Sequence, residues 1–301
     1  MPGAPRATAP AWGAAHPAAA RSDADRNAVR RRPIGVFDSG IGGLTVVGAL
    51  RRCLPGEDLI YFGDAARVPY GTKSAATVTR FARESVTFLA RREIKLLVVA
   101  CNTASALALP ALRETVAIPM LGVLEPGAAE AARQTRSGRI GVIGTAATIA
   151  SGAYRRALAD RDAGFEIVER PCPLFVPLAE EGWVAGEVPR QIATRYLAPL
   201  RKAQIDTLIL GCTHYPLLKE VIAEAAGATV TLVDSAEATA HETATLLEAR
   251  ALRNPSATGG SCRVFVSDRP RRFSEIGAAF LGEPLTSVSL VDQSDLPWYE
   301  R

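Results

Sequence analysis

From residue 33 onward, short apolar runs alternate with longer segments whose apolar residues recur at helical spacing. The runs fall at 34–37, 59–62, 96–100, 139–143, 207–210, 229–233 and 263–266. Most lack the polar alternation of a half-exposed strand, so the pattern predicts strands buried on both faces. Between them, residues 74–92 set Val78, Phe81, Ala82, Phe88 and Leu89 on one helical stripe. Strands and helices in alternation predict an α/β fold, each sheet mostly parallel and flanked by helices.

The pattern also repeats. Pro33-Ile34-Gly35-Val36-Phe37-Asp38-Ser39 opens one half, and Arg139-Ile140-Gly141-Val142-Ile143-Gly144-Thr145 opens another. At similar offsets each half reaches an apolar strand ending in a cysteine, Val99-Ala100-Cys101 and Leu210-Gly211-Cys212. Two pseudo-symmetric lobes are expected: residues 33–127 with 235–301, and residues 128–234, with a cleft between them. Residues 1–32, rich in Ala, Pro and Arg, read as a disordered leader.

Composition narrows the function. The chain has 301 residues, 48% hydrophobic and 22% charged, with a formal net charge of +4. That is an ordinary globular balance. The densest basic cluster, Arg30 to Arg32, lies in the leader, and nothing resembles a nucleic-acid reading surface, so no nucleic-acid partner is expected. No apolar run approaches the roughly 18 residues of a membrane span, so no membrane partner is expected either. The longest candidate, 96–112, is interrupted by Asn102, Thr103, Ser105 and Pro110. Cys53, Cys101, Cys172, Cys212 and Cys262 are odd in number, widely spread and without a C-x-x-C pair. Reduced thiols in a cytoplasmic protein fit that pattern better than a disulfide framework or a zinc site.

In open parallel sheets, ligands sit beyond the carboxyl ends of the strands. Cys101 and Cys212 fall there, each followed by residues suited to starting a helix. A helix N-terminus lowers a thiol's pKa, so each sulfur can act as a base when ionised or an acid when protonated. A substrate on a pseudo-twofold axis would meet one thiol on each face, the geometry for removing a proton from one side of a tetrahedral carbon and replacing it on the other. A lone strand-end cysteine is more often a packing residue, the reading given to Cys53, Cys172 and Cys262. Gly40-Ile41-Gly42-Gly43 is a poor dinucleotide fingerprint, because Thr45 stands where the third glycine belongs. Those glycines are expected instead to bring backbone close to a small carboxylate ligand.

Six segments carry a family resemblance. They are Phe37-Asp38-Ser39-Gly40-Ile41-Gly42-Gly43-Leu44, Gly63-Asp64, Arg67-Val68-Pro69-Tyr70-Gly71, Ala100-Cys101-Asn102-Thr103-Ala104-Ser105, Gly122-Val123-Leu124-Glu125-Pro126-Gly127 and Gly211-Cys212-Thr213-His214-Tyr215-Pro216-Leu217. In this order they resemble the signature segments of bacterial glutamate racemase, over residues 33 to about 252. The resemblance implies interconversion of L- and D-glutamate for peptidoglycan synthesis, without pyridoxal phosphate, metal or nucleotide, by a homodimer. It implies that Cys101 takes the proton from D-glutamate and Cys212 from L-glutamate. Asp38 would hold the substrate ammonium near Cys101, and His214 would relay protons for Cys212. Ser39, Tyr70, Gly71, Asn102, Thr103 and Thr213 would bind substrate, and either Glu180 or Glu181 would stand as a carboxylate on the Cys212 side. The lysines, Lys73, Lys95, Lys202 and Lys219, sit in no context matching a Schiff-base site. Two alternatives remain: a racemase for another acidic amino acid such as aspartate, and a non-catalytic ligand-binding protein of the same fold. The aspartate enzymes usually carry an acidic residue where this chain has His214, which favours glutamate.

Overall fold

The computed structural model describes residues 23–291. Among these residues, ten strands form two sheets in which every pairing is parallel. The strands are β1 (Ile34–Asp38), β2 (Leu59–Gly63), β3 (Leu96–Val99), β4 (Met120–Gly122), β5 (Arg139–Gly144), β6 (Glu166–Pro171), β7 (Thr207–Gly211), β8 (Thr231–Asp234), β9 (Cys262–Val266) and β10 (Val288–Leu290). One sheet runs β10-β9-β2-β1-β3-β4 and the other β6-β5-β7-β8. The repeat seen in the sequence is therefore topological: the order β2-β1-β3-β4 in the first sheet recurs as β6-β5-β7-β8 in the second. The α/β architecture agrees with the alternation of apolar runs and helical stripes.

The central strands are apolar throughout because helices cover both faces. Every residue of β1, β2, β3 and β7 is buried. The helix Ala75–Ala90 begins where Ser74 accepts a hydrogen bond from the Thr77 amide, and it buries Val78, Ala82 and Leu89 toward the first sheet. Three strands escape the sequence pattern. β6 is an edge strand carrying Glu166, Glu169 and Arg170, β10 is an exposed edge, and β4 is only three residues long. Edge strands need no continuous apolar run, so pattern alone does not mark them.

The leader is ordered in part. Asp23–Arg30 is a helix, which corrects the expectation of disorder over its last residues. It is held by tertiary bonds that no local pattern announces: Lys95 Nζ donates to the Arg30 carbonyl at 2.6 Å, and Arg30 Nε donates to the Arg253 carbonyl at 2.8 Å. Lys95 also pairs with Glu57, and both side chains are buried. Glu57 Oε1 accepts from the Asn254 amide at 2.7 Å, so one buried ion pair ties together the segments of Arg30, Glu57, Lys95 and Asn254. Residues 1–22 of the leader, and residues 292–301 of the expected first lobe, lie outside the described residues. No helix among the described residues is long and apolar enough to cross a membrane.

Candidate active site

β3 and β7 hold equivalent places in their sheets, beside β1 and β5 respectively. Cys101 lies just past β3 and Cys212 just past β7, and both are buried in the wall of one pocket between the sheets. Ser39, Tyr70, Gly71, Asn102 and Thr103 line it from the first lobe's strand ends, and Thr213 and His214 from the second. Asp38, expected beside the substrate, does not line the pocket and stays behind its wall. It is fully buried at the end of β1, with Oδ2 accepting from the Gly40 amide at 2.9 Å.

The two thiols differ in surroundings. Cys101 is the N-cap of the helix Asn102–Leu107, and its sulfur accepts from the Ala104 amide at 3.5 Å. The sulfur also donates to Ser39 Oγ at 3.3 Å. Burial nevertheless pushes the Cys101 thiol up to about 12, reinforced by the charge of Asp38 and only partly countered by Ser39 and the helix amide. The lowering expected from the helix N-terminus is thus outweighed by desolvation. Cys212 does not cap a helix. A 3-10 turn, Tyr215–Leu218, follows it, and His214 is the cap residue. What Cys212 has instead is an imidazole, with Sγ 3.8 Å from His214 Nδ1.

The far nitrogen of that ring meets one of the two glutamates and not the other. His214 Nε2 lies 2.9 Å from Glu180 Oε1, whereas Glu181 turns away to Arg272. Burial alone would depress the imidazole, but the contacts with Cys212 and Glu180 overcome it and hold His214 up at about 10. These contacts favour the charged ring, in which both nitrogens donate, one to the carboxylate and one toward the sulfur. A chain from the half-buried Glu180 carboxylate through the buried His214 ring to the Cys212 sulfur stands on one side of the pocket, and the Cys101 thiol, with Asp38 behind it, on the other.

Two buried polar atoms, one in the pocket wall and one behind it, have no partner within the protein. Asp38 Oδ1 and Asn102 Nδ2 are buried and unsatisfied within the protein. Asn102 is oriented by Tyr154, whose hydroxyl donates to Asn102 Oδ1 at 2.7 Å, which leaves the amide NH2 to donate elsewhere. A buried donor left without a partner is costly, so such groups usually await one. Tyr70 spends its hydroxyl on Asp64 Oδ2 at 2.6 Å, and only its backbone and ring edge remain for the pocket. Asp64 itself gathers Arg67, Tyr70 and Ser267 and is a structural hub.

Thr145 is a lining residue that sequence reasoning passed over. Its hydroxyl lies 3.0 Å from that of Thr103 and 2.9 Å from that of Thr148, a hydroxyl cluster spanning the two lobes. The repeat contained the signal, because Gly144-Thr145 closes β5 as Asp38-Ser39 closes β1. The glycine motif also has a reason other than the one expected. A Cβ on Gly42 would come within 2.5 Å of His214 Nδ1, and one on Gly43 within 2.5 Å of Asp38 Cβ. These two glycines let the first lobe close on the second lobe's histidine and on Asp38, and of this motif's glycines Gly40 alone lines the pocket.

Comparison with known proteins agrees with this arrangement. A profile of Asp/Glu/Hydantoin racemases matches residues 35–243. Glutamate racemase of Geobacter metallireducens is 57% identical over 257 residues, covering 85% of this chain and 95% of its own length. Among solved structures, glutamate racemase of Francisella tularensis, in complex with D-glutamate, superposes with a TM-score of 0.82 at 41% identity, covering 87% of this chain and 98% of its own. That of Thermus thermophilus, in complex with beta-chloro-D-alanine, gives 0.80 at 48% identity, covering 89% and 99%. With the sheet order, the paired strand-end cysteines and this similarity along nearly its whole described length, the chain belongs to the Asp/Glu/Hydantoin racemase family and, within it, to the glutamate racemases, which are isomerases.

Proposed function

We propose that the protein interconverts L- and D-glutamate by passing protons between the α-carbon and two thiols, Cys101 from the first lobe (residues 33–127 with 235–301) and Cys212 from the second (residues 128–234). The observation that carries this reading is that the two sulfurs, on equivalent strand ends of two like-ordered sheets, line one pocket from different lobes. For L-glutamate, Cys212 takes the α-proton and the protonated Cys101 delivers its own to the opposite face, giving D-glutamate. For D-glutamate the roles exchange. Between turnovers each sulfur regains its starting state by proton exchange with solvent.

A thiol is a far weaker base than the carbanion it makes. A gap of roughly ten pKa units corresponds to about 14 kcal/mol, which the site must supply largely by fixed electrostatics. The His214 imidazolium stabilises negative charge on the Cys212 sulfur, and Glu180 keeps that ring charged and oriented. Asn102, Thr103, Thr145 and Thr213 offer neutral donors to the substrate carboxylates. Asp38, behind the pocket wall, lies close enough to Cys101 to influence its charge. In the cell the product supplies D-glutamate for peptidoglycan, and the enzyme works in the cytoplasm as a homodimer.

Cys101→Ser and Cys212→Ser test the scheme separately. Each should abolish racemisation in both directions, because each direction uses one base and one acid. Near-normal turnover by either variant would remove that thiol from the mechanism. Deuterium incorporation from heavy water into aspartate but not glutamate would overturn the substrate.

A further inference from the structure

A second cavity, of about 320 Å3, opens beside the active pocket and shares Gly40, Val68 and Glu180 with it. Its outer wall is the start of the helix Pro270–Leu281, which contributes Arg272 and, at its N-cap, Arg269. The active pocket has no lysine or arginine in its lining. Of these two adjoining cavities, the outer one is where a substrate with two carboxylates meets guanidinium groups. Arg272 is already occupied by a carboxylate: Nη2 lies 3.4 Å from Oε1 of Glu181, the neighbour of the lining residue Glu180. That contact is long, single and half exposed, the kind of ion pair that contributes little. It leaves most of a planar, five-donor group free, and that shape suits bidentate binding of a carboxylate.

We propose that this chamber is the substrate's antechamber and that Arg272 is its carboxylate-capture residue, exchanging Glu181 for a carboxylate of incoming glutamate. The other charges facing the chamber fit. Glu180 is matched by His214, and Asp268 lies 3.8 Å from Arg269 while accepting its backbone amide. Of the two guanidinium groups lining the chamber, Arg272 is the one that reaches the Glu180–Glu181 segment beside the inner pocket, whereas Arg269 stays with its neighbour Asp268. Glu181 acts as a competing internal carboxylate that releases substrate toward the inner pocket. Arg272 touches no reacting atom and is a binding and positioning residue. The inference rests on the proposed racemase reading of the inner pocket.

The test is steady-state racemisation of glutamate by the full chain, with Arg272→Gln, Arg272→Lys, Glu181→Gln and the double variant Arg272→Gln/Glu181→Gln. Arg272→Gln should raise KM by about threefold to tenfold with kcat retained, and should flatten the rise of KM with ionic strength. Arg272→Lys should recover part of the loss. Glu181→Gln should lower KM, and that gain should vanish in the double variant, because the two residues act on each other. An unchanged KM in Arg272→Gln, a loss of kcat along with KM, or a Glu181→Gln effect that persists without Arg272 would overturn the proposal. Wild-type turnover of glutamate is read first. Its absence would strike the racemase reading, whereas turnover with indifferent variants would strike the antechamber alone.

Discussion

Replacing Glu180 with glutamine keeps a side chain that can reach His214 Nε2 but removes its charge. A hydrogen bond to a charged partner contributes about 1.5–3 kcal/mol and a neutral one about 0.5–1.5. Glu180 is 34% exposed, so screening brings the difference to the low end, about 1 kcal/mol. Since 1.4 kcal/mol corresponds to about one pKa unit, His214 should fall from its raised value by somewhat less than a unit. The assay is the pH dependence of kcat/KM for both enantiomers, followed by circular dichroism. The high-pH limb should move downward by that amount, and the plateau should drop by up to about tenfold as the imidazolium loses its anchor. The drop must be equal from either enantiomer, because L- and D-glutamate have the same free energy in water and the equilibrium constant is unity. A high-pH limb that stays in place would refute the coupling of Glu180 to the Cys212 side. Unequal losses in kcat/KM would show that the rates were not measuring a single reversible path.

Three further outcomes follow. Gly42→Ala should cost at least about a hundredfold in kcat, because the added methyl displaces His214, and a misplacement near 1 Å has that scale of effect; near-normal kcat would show that the close approach is not needed. Breaking the buried Lys95–Glu57 pair with Lys95→Met should cost about 3–5 kcal/mol in urea unfolding, with much of it recovered in Lys95→Met/Glu57→Leu. His214, raised in the folded state above its ordinary 6.5, gives stability that is fully present below about pH 6.5 and lost as pH rises through about 10; the urea midpoint should fall over that window, and His214→Asn should flatten the fall.

Much of this was legible in the chain because the signals were local. Buried parallel strands announce themselves as apolar runs, and strand-end cysteines with polar neighbours announce a site at the carboxyl edge. The features that escaped depend on contacts distant in sequence. Glu180 and Glu181 are adjacent and chemically alike. Only the turn of the helix Phe175–Glu180 aims one at His214, while Arg272, from a distant helix, holds the other. The Cys101 thiol was expected to be lowered by its helix, but the depth of the pocket reverses the sign. The helix Asp23–Arg30 has the composition of a tail and is fixed by a lysine far along the chain. Glycines 42 and 43 looked like ligand contacts and prove to be clearances for side chains.

The two-thiol scheme is tested most directly by following L-glutamate into D-glutamate in heavy water at early times, by proton NMR at the α-carbon. If one sulfur removes the hydron and the other supplies a solvent-derived one, the first D-glutamate formed carries deuterium while unreacted L-glutamate keeps its proton. Product retaining the original proton, or deuterium appearing equally in both enantiomers from the start, would mean that a single group works on both faces.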